Sequence, residues 1–131
     1  KMTMKIQLNK VTVVGYVSQT FKNESGTVLS FSLGIDDSYK DRQRNEWVNR
    51  TNWIPCRIFD QKRIEKLYGK INKCIVLIDG ELKSSKREVD GKERYEPYLI
   101  PNRIQIIEDR KTDEDVSETD NISLAGIDDN Y

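Results

Sequence analysis

Period-two alternation constrains this chain more than any other feature of its sequence. In residues 28–35, Leu29, Phe31, Leu33 and Ile35 fall on one side of an extended backbone, and Ser30, Ser32 and Gly34 on the other. That pattern buries one face of a strand; on a helix it would scatter around the axis. Residues 4–18 alternate as well, through Ile6, Leu8, Val11, Val13, Gly15 and Val17, predicting a long first strand bent or bulged at Gly15. Ile54, Cys56 and Ile58 mark a third strand over residues 53–59, where Pro55 predicts an edge position or a bulge. Residues 73–82 read as a fourth strand and 95–107 as a fifth, with Val89-Asp90-Gly91-Lys92 as a hairpin tip before the last.

One stretch breaks the pattern. In residues 60–69, Asp60 can cap a helix, Ile64, Leu67 and Tyr68 lie near one face, and Gly69 ends it. Three strands, a short helix and two strands is the order of an all-β OB-fold, a five-stranded Greek-key barrel with one helix between strands 3 and 4. The barrel accounts for residues 1–107. Residues 108–131 lose the periodicity and predict a disordered acidic tail.

Length and composition exclude several classes of function. The 131 residues suffice for one domain, and no run approaches the roughly 20 apolar residues of a membrane helix. The first ten residues have no apolar centre of the signal-peptide kind, so the expected location is cytoplasmic, with the nucleoid as the site of action. The absence of histidine rules out Ser-His-Asp and Cys-His triads and His-ligated metals. Cys56 and Cys74 are too few for a zinc cluster, and each sits in an apolar run, which predicts two buried free thiols. No cofactor is expected. The zero net charge conceals a division: residues 108–131 carry nine acids and two bases, net −7, against +7 for residues 1–107.

The surface chemistry follows from the third strand. Its apolar face is supplied by Ile54, Cys56 and Ile58, so Trp53 and Phe59 point outward with Arg57 between them. Either a loop or a partner subunit covers these rings, or they form a stacking platform for nucleobases, which tolerates any sequence. The polar stretch 36–51 reads as a loop or extended hairpin tip. It interleaves Tyr39 and Trp47 with Lys40, Arg42, Arg44 and Arg50: rings for bases, cations for phosphates. Lys83, Lys86 and Arg87 form a second basic patch, which Lys92, Arg94 and Tyr95 continue. Two basic, aromatic hairpins on one small barrel predict salt-dependent binding of a single strand, with little sequence preference.

Four segments together resemble the bacterial single-stranded-DNA-binding protein family. They are NKVTVVG at residues 9–15, SYKD at 38–41, TNWIPCRIF at 51–59 and DGELK at 79–83, and the likeness runs in order over residues 9–107. The resemblance implies an OB-fold that assembles as a homotetramer and wraps single-stranded DNA. It implies stacking at Tyr39, Trp53 and Phe59 and basic contacts at Lys10, Arg57, Lys83 and Lys86. Many members carry a third stacking tryptophan in the last hairpin where this chain has Arg87, so a phosphate contact replaces a stack there. A dimer or tetramer is also expected because Ile104, Ile106 and Ile107 leave apolar surface to cover.

The end of the chain extends the resemblance. Family members finish in an acidic tip with an aromatic terminus that docks replication, recombination and repair proteins. Here Ile127, Asp128, Asp129, Asn130 and Tyr131 stand in that place, without the usual proline-phenylalanine pair and after a linker poor in glycine and proline. The aspartates suit a basic rim, and Tyr131 an apolar pocket with its carboxylate on a basic side chain. Tethered beside a basic groove, the tail also competes with DNA at low salt. Three other readings stay open. One is a metal-dependent nuclease using Asp36, Asp37, Asp79 and Glu81. Another is a replication-restart, plasmid or phage accessory adaptor of the same fold. The third is an RNA or oligosaccharide binder.

Overall fold

The structure, a computed structural model, describes residues 6–112. The tail tip Ile127, Asp128, Asp129, Asn130 and Tyr131, and the disorder expected of the tail, fall outside the described residues.

Strand β1 (Val11–Lys22) pairs antiparallel with β2 (Leu29–Asp36), and β2 with β5 (Thr51–Ile58). Between β2 and β5 a short ribbon forms from β3 (Tyr39–Asp41) and β4 (Glu46–Val48). Helix α1 (Gln61–Leu67) follows β5, and β6 (Cys74–Val89) and β7 (Lys92–Asp109) then make one long hairpin. β6 also pairs with β1, and β5 meets β7 in parallel at Cys56 and Leu99. The closed order is β1-β2-β5-β7-β6, an all-β OB-fold barrel with the helix between its third and fourth strands, as expected.

Much of the main core lies on the alternating faces of the strands: Val17, Leu29, Phe31, Leu33, Cys56, Ile58, Cys74, Val76 and Ile78, joined by Leu99 from β7 and by Ile64 and Ile71 from the helix and its exit. Tyr16 and Ile75 are buried in a second, smaller cluster on the opposite face of β1 and β6. Asp60 caps α1 by accepting from the Lys62 N–H at 3.0 Å. The β6–β7 turn places Asp90 and Gly91 at φ 52° and 75°, the left-handed pair that a tight hairpin turn needs. No helix among the described residues is long and apolar enough to cross a membrane.

Three expectations about the strands are corrected. β1 begins at Val11, and Ile6 and Leu8 are 95% and 89% exposed ahead of it, because the ladder with β6 starts only at Val11 and Gly80. The bulge in β1 lies between Ser18 and Phe21, with Gln19 at φ 55°, and not at Gly15. Gly15 serves close approach: a Cβ there would sit 2.7 Å from the Gly34 carbonyl oxygen. The last hairpin is longer than its apolar alternation, since β6 continues through seven residues past Leu82 and β7 runs to Asp109. Beyond β7 the Arg110 N–H donates to the Lys73 carbonyl. The Lys111 ammonium reaches the Lys70 carbonyl and the Cys74 sulfur.

Both cysteines are free and buried. Burial pushes the Cys56 thiol up to about 12.

Candidate nucleic-acid interface

The interface starts from the pleat of β5. Ile58 and Cys56 are buried, so Trp53, Pro55 and Arg57 face out, and Phe59 continues that row just past the strand end. Trp53 is 40% and Phe59 49% exposed, so neither ring is sealed by the protein's own loops. Opposite this row on β2 stand small residues: Gly34 across from Trp53, Ser32 from Pro55 and Ser30 from Arg57. Side chains paired across a ladder share a face, so the aromatic row borders a shallow floor that a flat ring can approach.

Across the seam on the other side, the Arg57 guanidinium lies over the Tyr98 ring, 4.6 Å from its centre. Tyr98 faces Lys83 in the β6–β7 ladder, and the same face of that hairpin carries Arg87 opposite Arg94. The structure therefore joins Trp53, Phe59, Arg57, Lys83 and Arg87 into one band. Lys86 pairs with Tyr95 on the reverse face of the hairpin. Carboxylates accompany three of these cations: Lys83 with Glu81 at 3.5 Å, Lys86 with Glu93 at 2.9 Å and Arg87 with Glu96 at 3.2 Å. Such exposed pairs contribute little to stability and exchange readily for phosphate.

The β3–β4 ribbon divides its functional residues in the same way. Lys40 faces Trp47, whereas Tyr39 faces Val48, so the two rings lie on opposite faces of the ribbon. Tyr39 is capped by the Arg50 guanidinium, 5.0 Å from the ring centre, and Arg50 is held in turn by Asp37 at 2.9 Å. Trp47 is 69% exposed. Arg42 is exposed in the turn, where the Asp41 carboxylate accepts the Gln43 and Arg44 N–H groups. Lys10 is exposed just ahead of β1. Its neighbour Asn9 fixes the approach by a reciprocal pair of bonds to the Leu82 backbone, at 2.7 and 2.8 Å.

Tyr98 was not foreseen from the sequence. Its position opposite Lys83 depends on the hairpin register, and its contact with Arg57 on barrel closure; the only local signal is its alternation with Leu99. The candidate nuclease carboxylates are each engaged nearby. Asp36 accepts from the Ser38 hydroxyl at 2.6 Å, Asp37 holds Arg50, Asp79 accepts from Thr12 at 2.7 Å and Glu81 pairs with Lys83. Among the described residues no three metal-ligating side chains converge.

Residues 8–107 match the sequence model of the single-strand binding protein family. The chain belongs to that family. Solved structures agree in fold. A Plasmodium falciparum SSB in complex with ssDNA is 23% identical, with a TM-score of 0.61 over 81% of this chain and 98% of that one. The mitochondrial single-stranded DNA binding protein Rim1 of S. cerevisiae is 18% identical, with a TM-score of 0.57 over 79% and 99%. A small single-stranded DNA binding protein from Mycoplasma pneumoniae is 16% identical, with a TM-score of 0.56 over 76% and 93%. The single-strand binding family signature and the aromatic, basic band thus fall on the same 100 residues.

Proposed function

We propose that this chain binds single-stranded DNA with little sequence preference, as a binding protein and not a catalyst, in replication, recombination and repair. The observation that carries the reading is the outward row Trp53, Arg57 and Phe59 beside the small residues of β2. Bases stack on Trp53, Phe59 and Tyr39, and phosphates meet Lys10, Lys40, Arg42, Lys83, Lys86 and Arg87. Trp47 offers a further ring from the far face of the ribbon. Stacking takes any base, and cations read only the backbone, so sequence matters little.

Two parts of the reading extend beyond the interface. The exposed apolar residues Ile106 and Ile107 support assembly, for which we favour a homotetramer. The acidic residues 108–131, ending in Ile127, Asp128, Asp129, Asn130 and Tyr131, serve partner proteins of DNA metabolism.

The test is competition for a labelled oligo-dT strand at two salt concentrations. Unlabelled single-stranded DNA of mixed sequence should displace it, duplex DNA should not, and binding should weaken steeply with salt. Equal displacement by duplex contradicts the reading, and stronger displacement by RNA reassigns the substrate.

A further inference from the structure

Arg57 is held differently from the cations around it. Lys83, Lys86 and Arg87 each lean on a carboxylate. Arg57 makes no ion pair among the described residues, and its guanidinium sits over the Tyr98 ring. The two side chains come from β5 and β7, which share a single backbone bridge, Cys56 with Leu99. Their chain neighbours Cys56, Ile58 and Leu99 are buried in the core, so both point outward, and both are half-buried. A guanidinium seated on a ring keeps its charge uncompensated and its plane restrained.

We infer that the Arg57–Tyr98 stack is a nucleotide subsite, in which one nucleobase stacks on the guanidinium plane and Tyr98 is the positioning residue beneath it. The inference rests on the reading that this face takes single-stranded DNA. Unpaired bases stack on arginine planes as they do on aromatic rings. The subsite has Trp53 along β5 on one side and Lys83 across the β6–β7 ladder on the other. One nucleotide therefore meets a guanidinium for its base, with an ammonium placed for a phosphate. The band continues from ring to guanidinium to ammonium across the seam where β5 and β7 meet.

Titration of the full chain with oligo-dT over a series of salt concentrations tests this. Arg57→Lys keeps the charge and removes the plane. Tyr98→Leu removes the ring, and Tyr98→Phe retains it. The first two substitutions should each weaken binding about 5- to 150-fold, the range for one lost base stack. The slope of log affinity against log salt should stay unchanged, because no phosphate contact is lost. Tyr98→Phe should bind as the unsubstituted chain does. Thermal melting of each variant separates this role from a mere clamp across the seam, which would lower the melting temperature and spare affinity. Unchanged affinity in Arg57→Lys makes Arg57 a simple charge and overturns the subsite, as does unchanged affinity in Tyr98→Leu. If Tyr98→Leu fails to fold, Arg57→Lys decides alone. Failure of the unsubstituted chain to take up oligo-dT overturns the DNA reading and the subsite together, whereas uptake by the unsubstituted chain with no loss of affinity in either variant overturns the subsite only.

Discussion

At the scale of single residues, outward aromatic rings make the difference between a barrel and a binding surface. Trp53 and Phe59 are both exposed and neither belongs to the core, so removing them should cost binding and little else. Trp53→Ala is expected to weaken oligo-dT binding by about 1–3 kcal/mol while the thermal midpoint hardly moves. Equal losses of both would mean that the ring packs rather than stacks. The buried Cys56 thiol gives a second prediction. Its proton is held up to about 12 in the fold, against 9.0 for an ordinary thiol. Unfolding releases a group that ionises more readily, so this residue leaves stability unaffected below pH 9 and lowers it as pH climbs toward 12. Native protein at pH 8 should accordingly resist thiol reagents, and denatured protein should react at once.

At the scale of elements, most of the barrel was written in local patterning, and the aromatic, basic band was only half written. The alternation in β2 and β5 identifies both which residues enter the core and which aromatics leave it, because a strand allows only two faces. Asp60 likewise announces the start of α1 by its capping chemistry. The β1 bulge at Gln19 had no such mark, since glycine draws attention to Gly15 while the extra residue is absorbed by an ordinary side chain. Gly15 is instead required by the neighbouring strand: Gly15→Ala would press a methyl against the Gly34 carbonyl and the Leu33 side chain. A loss of about 1–3 kcal/mol by denaturant titration is expected, in the range of core overpacking. Tyr98 escaped detection because its partner Arg57 is some forty residues away and reaches it only through the parallel seam. The division of the two hairpins into faces was hidden for a similar reason, as basic residues close in sequence are separated by the pleat. It has a measurable consequence. Glu96→Gln frees Arg87 from its carboxylate on the band and should raise DNA affinity severalfold at low salt. Glu93→Gln frees Lys86 on the reverse face and should change affinity less.

At the scale of the whole molecule, charge is divided so that the body attracts what the tail repels. Residues 113–131 contain seven acids and no base, while residues 1–112 are net +7. Arg110 and Lys111 are bonded to the body, so a clean truncation follows Thr112 and leaves those contacts in place. Removing residues 113–131 should raise affinity for oligo-dT at low salt and leave it nearly unchanged at high salt, since the tethered charge is screened there. Equal affinities of the two forms at low salt would contradict competition in cis. With about six phosphates neutralised by the cations named above, log affinity should fall against log salt with a slope of about −4. The most direct measurement of the central claim uses Trp47→Phe, which leaves Trp53 as the sole tryptophan, titrated with oligo-dT while its fluorescence is followed. Deep, saturable quenching that tracks binding at each salt concentration is the predicted result; binding with unquenched Trp53 emission would contradict it.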